Sequence, residues 1–203
     1  MTEPREHWED VYRTKADTDV SWYEARPQVS IELIAATGLG PDSQIIDVGG
    51  GASHLVDALI AAGFAHVTVL DLSAEALSIA RARLPADAPV DWIAGDVLDW
   101  VPDMSYDIWH DRAAFHFLTT PEEREAYRSV LCKALRPGGY AIIGTFAPDG
   151  PERCSGLPVS RHDATSLLEV FGRDFRLVKS VRHDHKTPGG AVQRFHFGLL
   201  QRS

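Results

Sequence analysis

Hydrophobic residues along the chain follow two different periods, and these periods alternate. Short, mostly apolar runs end at a glycine or an acidic residue, and segments with apolar residues at spacings of three and four follow them. The short runs predict buried strands, and the longer segments predict amphipathic helices. The predicted strands span 44–48, 66–70, 90–93, 106–110 and 140–146.

The helical segments carry recognisable start signals. Ser73 is a suitable N-cap, and Thr120-Pro-Glu-Glu123 has the form of a capping box with proline at the first helical position. Glycines or prolines follow several of these segments and are typical helix stops. The predicted helices span 6–15, 27–37, 53–62, 74–84 and 121–135, and a further helix begins near Asp163.

Strands that alternate with helices predict a parallel sheet with helices on both faces. The last part of the chain differs, because two strand-like runs, 175–185 and 193–200, are joined by a Pro/Gly turn with no helix between them. This pattern predicts an antiparallel hairpin at the sheet edge. We therefore expect an α/β fold: a doubly wound, Rossmann-like sheet of seven strands, mostly parallel, with an antiparallel terminal hairpin.

Composition and charge narrow the class of protein. A chain of 203 residues with 44% hydrophobic and 24% charged residues is typical of one soluble globular domain. Its net charge of −9 disfavours nucleic acid as a partner, and no basic stretch suggests a membrane surface. Two cysteines, a charged N-terminus and no long apolar stretch predict a cytoplasmic protein.

The segment Asp47-Val-Gly-Gly-Gly-Ala-Ser53 joins the first core strand to the next helix. A glycine turn at this point lets a ligand approach backbone N–H groups that side chains would cover. A dinucleotide fingerprint requires glycine at the first, third and sixth positions of the turn. Gly49 and Gly51 match, but His54 occupies the sixth position, so the turn does not fit NAD.

The acid two residues before the first glycine makes the turn resemble motif I of the class I S-adenosylmethionine-dependent methyltransferases, although Ser53 replaces the usual third glycine. Three further segments resemble the family in the same order: Asp71 after the second strand, Gly95-Asp96-Val97, and Leu135-Arg-Pro-Gly-Gly139. The resemblance covers residues 42–146 and extends to the terminal hairpin.

This resemblance implies S-adenosylmethionine as the cofactor and S-adenosylhomocysteine as its product. It implies that the carboxylate of Asp71 accepts hydrogen bonds from ribose hydroxyls, and that Asp96 reaches the adenine amino group. The aromatic residues near the N-terminus either face the sulfonium, where cation–π attraction would help, or staple the first helix to the core. The expected cofactor-binding residues are Trp8, Tyr12, Trp22, Asp47, Gly49, Gly50, Gly51, Asp71, Leu72, Asp96, Val97 and Asp111.

The segment 110–116 resembles an Asp-Arg-Gly or Asp-Lys-Gly stretch in the thiopurine S-methyltransferase-like and methyltransferase-like lysine methyltransferase groups. Asp111 is therefore a candidate catalytic residue. His110 and His116 are candidate general bases because imidazole titrates near neutral pH, although packing alone would also explain both histidines.

The resemblance implies a single methyltransferase domain over 1–203. Its predicted parts are an N-terminal lid and helix (1–40), a cofactor-binding core (41–146), a Pro/Gly-rich substrate lid loop (147–165), and a terminal helix and hairpin (166–203). We expect 147–162 to be irregular, with Cys154 as a buried thiol or pocket wall. Arg153 and Arg161 flank it and are either anion contacts or, as is commoner for loop arginines, solvent-exposed side chains.

A compact, water-excluding site favours a small-molecule acceptor. The alternatives are a protein-lysine methyltransferase and a non-catalytic S-adenosylmethionine-binding sensor. His183 and His185 alternate on one face of a strand and could share a metal, but the sequence offers no third ligand, so we predict no metal. The sequence does not predict an oligomeric state or the acceptor atom.

Overall fold

The computed structural model describes residues 4–203 and contains six α-helices and nine strands within that range. The helices are α1 (Pro4–Thr14), α2 (Gln28–Ala36), α3 (Leu55–Ala61), α4 (Ala74–Arg83), α5 (Pro121–Ala134) and α6 (Ala164–Phe171). The strands are β1 (Ile45–Val48), β2 (Val67–Asp71), β3 (Val90–Ala94), β4 (Tyr106–Arg112), β5 (Leu135–Phe146), β6 (Arg153–Cys154), β7 (Leu157–Pro158), β8 (Phe175–Lys186) and β9 (Val192–Arg202).

Seven strands form one sheet in the order β3-β2-β1-β4-β5-β9-β8. The first five strands of the chain pair in parallel, and β9 runs antiparallel to both β5 and β8. This arrangement confirms the predicted α/β fold with its terminal hairpin. The strand order reverses beside β1, and ligands of doubly wound sheets bind at the carboxyl ends of strands at such a point.

Helices cover both faces of the sheet, and the side chains of its central strands are buried on each face in turn. Ile45 and Ile108 pack with residues of α2, α3 and α4, whereas Ile46 and Trp109 pack with residues of α5 and α6. Successive side chains of a strand point to opposite faces, so two apolar layers form around one sheet. Side chains at neighbouring positions of β4 therefore reach different halves of the molecule.

Two helix starts have the predicted caps. Ser73 Oγ accepts a hydrogen bond from the backbone N–H of Ala76 at 3.1 Å. Thr120 and Glu123 form the reciprocal capping box ahead of α5, with Pro121 at its start. The local start signals therefore predict these boundaries correctly.

The structure corrects two local expectations. Strand β5 begins at Leu135, directly after α5, whereas the Pro-Gly-Gly segment suggested a start at 140; Gly138 has a φ of +79°, and the pairing with β4 shifts register there. The segment 147–162 is also not wholly irregular, because it contains the β6–β7 hairpin. The turn residues Ser155 and Gly156 both have positive φ, and two-residue strands are too short to show a period.

Among residues 4–203, no helix combines the length and the apolar character needed to cross a bilayer.

Candidate functional site

A cavity of about 310 Å³ lies at the carboxyl ends of β1, β2 and β4. The sheet forms its floor, and α1, Trp22 and the β6–β7 hairpin contribute further walls. The predicted cofactor-binding residues on its wall are Trp8, Tyr12, Trp22, Gly49, Asp71, Leu72, Asp96 and Val97. The sheet edge and the N-terminal segment therefore bring most of the predicted set together.

The glycine turn after β1 is crowded enough to require glycine. Gly49 and Gly51 have φ values of +67° and +44°. A Cβ on Gly49 would lie 2.5 Å from the Cβ of Ala114, and one on Gly50 would lie 2.6 Å from Asp47 Oδ2. Side chains at these positions would displace neighbouring atoms. Gly49 presents its bare backbone to the cavity, whereas Gly50 and Gly51 do not line it.

Asp71 ends β2 and is almost fully buried at the cavity wall. Its Oδ1 accepts a hydrogen bond from the backbone N–H of Ser73 at 2.8 Å. Burial, together with the nearby carboxylates of Asp47 and Glu9, raises the pKa of this carboxyl to about 7 against the opposing effect of the Ser73 hydrogen bond. The ionised form of Asp71 is therefore costly until hydrogen-bond donors reach it.

Asp96 lies beyond β3 on the same wall. Its Oδ1 accepts a hydrogen bond from the backbone N–H of Leu98 at 2.8 Å, which orients the carboxylate. Val97 and Leu98 add apolar surface beside it. A polar group next to a flat apolar wall suits an aromatic heterocycle with an amino substituent.

The N-terminal aromatic residues both line the cavity and pack on one another. Trp22 Nε1 donates a hydrogen bond to the hydroxyl of Tyr12 at 3.2 Å, and the rings of Trp8 and Trp22 meet edge to face at 5.6 Å. Trp8 also meets Phe117 edge to face at 5.2 Å. The two roles considered for these residues are therefore compatible, because one aromatic cluster serves as packing and as wall.

Glu9 attaches α1 to the start of α4. Its carboxylate accepts hydrogen bonds from the backbone N–H groups of Ala74 at 2.8 Å and Glu75 at 3.3 Å, and from the hydroxyl of Ser73 at 3.1 Å. Burial alone would raise the pKa of Glu9, but these bonds hold it below its usual value. A carboxylate at a helix N-terminus is favoured by the helix dipole, so this contact holds the helix that carries Trp8 over the cavity.

Asp47 and His110 form a buried pair behind the glycine turn and do not line the cavity. His110 Nδ1 lies 2.7 Å from Asp47 Oδ1, and its Nε2 lies 2.8 Å from the hydroxyl of Ser30. Both ring nitrogens are therefore engaged inside the protein.

Asp111 and His116 also lie outside the cavity wall, although the sequence placed both in the site. Asp111 accepts hydrogen bonds from the backbone N–H groups of Ala114 and Phe115 and from the hydroxyl of Tyr127. Burial raises the pKa of Asp111 to about 6 despite these bonds. Burial lowers the pKa of His116 to about 3, so its imidazole is neutral at physiological pH.

Arg112 occupies the wall where the sequence suggested its neighbour Asp111. Its Nη2 donates to the backbone oxygen of Trp22 at 2.6 Å and lies 3.6 Å from Glu24 Oε1. Side-chain alternation along β4 puts Arg112 on the same sheet face as Ile108 rather than Trp109, but it does not say which residue of that face lines the cavity. The other wall residues that the sequence did not identify include Leu98, Ala113, Phe117, Leu118, Leu157 and Pro158.

Cys154 lies on the cavity wall, as one of its two suggested roles required. Burial raises the pKa of its thiol to about 12, so the sulfur is not a thiolate at neutral pH. The flanking arginines do not line the cavity: Arg153 donates to the backbone oxygen of Gly156, and Arg161 donates to Gly150 and Glu152. The cavity therefore receives its positive charge from Arg112.

Comparison with known proteins identifies the family. A family model described as a methyltransferase domain matches residues 45–139. The ubiquinone/menaquinone biosynthesis C-methyltransferase UbiE of Ruegeria sp. (strain TM1040) is 31% identical over 173 residues, which cover 77% of this chain and 67% of that protein. This chain belongs to the class I S-adenosylmethionine-dependent methyltransferases. Its cofactor is accordingly S-adenosylmethionine.

Other relatives of this methyltransferase differ in what their names say they methylate. A trans-aconitate 2-methyltransferase of Rhizobium rhizogenes is 28% identical over 61% of this chain and 46% of its own length. EEF1A lysine methyltransferase 2 of Danio rerio is 24% identical over 93% of this chain and 82% of its own length. The chain thus spans about two thirds of UbiE and less than half of the aconitate enzyme.

A solved structure agrees with the fold of this methyltransferase. The N-methyltransferase NodS from Bradyrhizobium japonicum WM9, solved in complex with S-adenosyl-L-homocysteine, superposes with a TM-score of 0.76 over 98% of this chain and 99% of that one, at 14% identity. At that identity, the likeness establishes the shared architecture alone.

The residues present fit the cofactor of this methyltransferase. The turn at Gly49–Gly51 has no room for side chains, and the bare backbone of Gly49 is open to a methionine-like tail. Asp71 is a buried carboxylate on the wall, which suits vicinal hydroxyl groups, and Asp96 with Val97 suits an adenine ring. Trp8 and Trp22 supply aromatic surface, which attracts a sulfonium.

Proposed function

We propose that this methyltransferase transfers a methyl group from S-adenosylmethionine to a small organic acceptor that carries an anionic group. The observation that carries the proposal is the position of Arg112 on the wall of the cavity. The relative that methylates trans-aconitate, a small carboxylate, supports the same acceptor class.

Arg112 retains hydrogen-bonding capacity. Within residues 4–203, its Nε and Nη1 have no hydrogen-bond partner, whereas Nη2 is engaged by Trp22 and faces Glu24. Burial lowers the pKa of Arg112, but an arginine remains protonated at neutral pH. A guanidinium in a poorly solvated site binds a carboxylate by charge-assisted hydrogen bonds, which are stronger there than in water.

The remaining wall favours a compact, dry acceptor site. Phe117, Leu118 and Leu157 are apolar and adjoin the aromatic cluster of Trp8 and Trp22. Such walls exclude water from the reacting groups. The site thus combines one cation for orientation with apolar surface for enclosure.

S-adenosylmethionine supplies an electrophilic methyl group on a positively charged sulfur, which becomes a neutral thioether when the methyl group leaves. The protein's contribution is to align the acceptor and exclude water. Among residues 4–203, no histidine lines the cavity, so no imidazole is in place to remove a proton. An acceptor whose nucleophilic atom is already deprotonated at neutral pH, such as a carboxylate oxygen, needs no base.

We propose that Asp111, His110 and His116 are not catalytic residues. Asp111 holds the backbone of Ala114 and Phe115 and thereby positions the cavity wall that follows β4. His110 holds Asp47 behind the glycine turn, and His116 packs against Phe117 and Phe146. Asp111 and His110 therefore act as positioning residues.

A protein-lysine acceptor is the second candidate, and the Danio rerio relative favours it because that match covers most of both chains. Arg112 argues against it, since a guanidinium repels a lysine ammonium in a poorly solvated cavity. The third candidate, a sensor that binds S-adenosylmethionine without turnover, is supported by no specific feature of the cavity.

Methyl-labelled S-adenosylmethionine tests the acceptor class. The purified protein is incubated with a panel of small mono-, di- and tricarboxylates, with neutral aromatic alcohols as controls, and with a protein fraction from a cell lysate. We expect label in the carboxylate reactions. Label confined to protein would favour the lysine alternative, and S-adenosylhomocysteine binding without label in any fraction would favour the sensor.

Arg112→Gln then tests the anion contact with the accepted substrate. Loss of charge-assisted bonds worth about 1.5–3 kcal/mol predicts a KM increase of about 10–150-fold, with S-adenosylhomocysteine affinity nearly unchanged. Arg153→Gln, a lid arginine outside the cavity, is the matched control. Arg112→Lys keeps the charge but loses the paired N–H donors of the guanidinium. Its KM should lie between those of Arg112→Gln and Arg153→Gln. An unchanged KM in Arg112→Gln would show that Arg112 does not bind an anionic group of the acceptor.

A further inference from the structure

A second cluster of side chains lies outside the cofactor cavity, where the segment after α1 meets strand β8. It consists of Glu24, His183 and His185, and one ligand atom from each lies within 4.8 Å of the others. Glu24 Oε1 is 3.2 Å from His185 Nδ1 and 3.6 Å from His183 Nε2. The sequence predicted that the two histidines share one strand face, and the fold brings Glu24 beside them as the third potential ligand.

The hydrogen bonds of His185 determine which nitrogen carries its proton. His185 Nε2 lies 2.7 Å from the backbone carbonyl oxygen of Ser21. A carbonyl oxygen only accepts, so Nε2 carries a proton and donates it to Ser21. Nδ1 then faces Glu24 Oε1 at 3.2 Å, and a positive species, either a second ring proton or a bound cation, must lie between these two atoms.

We propose that this positive species is a divalent transition-metal ion of the Zn²⁺ class, bound by Glu24 Oε1, His183 Nε2 and His185 Nδ1. Zinc binds imidazole nitrogen and carboxylate oxygen at about 2.0–2.2 Å, so two ligands at a tetrahedral angle lie about 3.3–3.5 Å apart. Two of the three separations, 3.2 and 3.6 Å, lie just outside that range on either side, and the third is no longer than 4.8 Å. The proposal is independent of the acceptor assigned above.

The surroundings have the features of a metal site. The carbonyl of Ser21 orients His185, as outer hydrogen bonds commonly orient metal-bound histidines. His185 is buried with a 4% exposed side chain, whereas the side chain of His183 is 34% exposed, so an ion can enter from that side. An open recess lined by Tyr23 and Lys186 adjoins the cluster and leaves room for a fourth ligand such as water.

A metal at this point would connect the cluster to the cofactor cavity. Glu24 also lies 3.6 Å from Arg112, and Trp22, two residues earlier, is a cavity wall. Binding of the ion would hold the segment 21–24 against β8. It would also draw the charge of Glu24 away from Arg112. We therefore expect metal binding to raise the melting temperature of the full chain.

The test uses the 203-residue chain after treatment with a chelator, titrated calorimetrically with Zn²⁺ and separately with Mg²⁺ at pH 7.5. We expect one Zn²⁺ per chain and a higher melting temperature, with no comparable binding of Mg²⁺, which prefers an all-oxygen octahedron. His183→Gln and Glu24→Gln should weaken Zn²⁺ binding about tenfold or more. His66→Gln, an exposed histidine elsewhere, should bind Zn²⁺ like the wild type.

His183→Gln is the decisive variant because its exposed side chain can be replaced without emptying the core, unlike His185. Its melting temperature without metal should match that of the His66→Gln control. Absence of stoichiometric Zn²⁺ binding in the wild type would overturn the proposal and leave an imidazolium–carboxylate pair. Equal Zn²⁺ affinity in His183→Gln and His66→Gln would overturn it as well.

Discussion

His110 Nδ1 lies 2.7 Å from Asp47 Oδ1, and the two residues are cross-strand neighbours on β4 and β1. Both side chains are buried. A Cβ on Gly50 would lie only 2.6 Å from the same carboxylate, so the pair stands directly behind the glycine turn. The histidine therefore supports the cofactor turn through Asp47.

Replacement of His110 should lower the stability of the folded protein rather than act directly on methyl transfer. His110→Leu leaves the Asp47 carboxylate buried without its partner, which we expect to lower the free energy of unfolding by about 3–5 kcal/mol. Ser30→Ala removes the hydroxyl on the other side of the ring and should cost about 1 kcal/mol. Urea denaturation measures both. A His110→Leu variant with wild-type stability but no turnover at saturating cofactor would instead indicate a general base.

Asp71 should lower the stability of the folded protein at neutral pH and strengthen its binding of the cofactor. Its folded pKa of about 7 lies above the unfolded value, so the folded state binds the proton more tightly and the contribution of Asp71 to stability falls as pH rises from about 4 to 7. The free energy of unfolding of Asp71→Asn, relative to that of the wild type, should therefore be higher at pH 8 than at pH 4. The variant should also bind S-adenosylhomocysteine more weakly, by about 1.5–3 kcal/mol.

Denaturation at the two pH values and calorimetric titration measure these effects. Asp91→Asn, an exposed carboxylate on the adjacent strand β3, is the control and should change neither property. In the wild type, S-adenosylhomocysteine affinity should fall as pH drops below 7. Unchanged affinity in Asp71→Asn would exclude Asp71 from the cofactor site.

Glu9 should control how firmly α1 closes over the cavity. Glu9→Ala leaves the N-terminal N–H groups of α4 without their carboxylate acceptor, a loss we expect to cost about 1 kcal/mol. Because α1 carries Trp8 and Tyr12, S-adenosylhomocysteine should dissociate faster from the variant. Stopped-flow tryptophan fluorescence measures that rate. Glu6→Ala, on the same helix, is the control, and equal dissociation rates in the two variants would contradict the anchoring role.

His116 and His162 should make the protein sensitive to acid. Burial lowers their pKa values to about 3 and about 4, and within residues 4–203 neither ring has a hydrogen-bond partner. Groups with depressed folded pKa values stabilise the protein above their unfolded pKa near 6.5 and lose that contribution as pH falls. Each can change the free energy of unfolding by up to about 1.4 kcal/mol per pH unit.

His116→Leu should therefore show a shallower loss of stability than the wild type between pH 6.5 and 4. Urea midpoints measured across this range test the prediction, with His66→Leu as the exposed control. Parallel pH dependences of the His116→Leu variant and the wild type would show that His116 is not buried in its neutral form.

Local sequence signals predicted the order of elements and the cofactor side of the cavity. Ser73 and Thr120 mark helix starts because capping is a contact within one turn. Asp71 could be placed because it directly follows a predicted strand, and the carboxyl ends of parallel strands meet at one sheet edge. Asp96 was assigned to the cofactor by the resemblance of Gly95-Asp96-Val97 to a motif of the family. These inferences need only neighbours along the chain and the general form of the fold.

The tertiary structure alone decided which of three consecutive residues faces the cavity. His110 and Arg112 point to one face of β4 and Asp111 to the other, because strand side chains alternate. The face toward α5 gives Asp111 the hydroxyl of Tyr127, while the other face gives His110 the carboxylate of Asp47. Local periodicity does not say what covers each face.

The same holds for Glu24, which joins His183 and His185 across about 160 positions of sequence. Its partners are set by the position of β8 at the sheet edge and by the path of the N-terminal segment across the sheet. Patterns along the chain were enough to predict the strands, the helices, the glycine turn and the acids at strand ends. Only tertiary packing decided the contacts between distant segments, because those contacts depend on strand order and side-chain direction rather than on spacing.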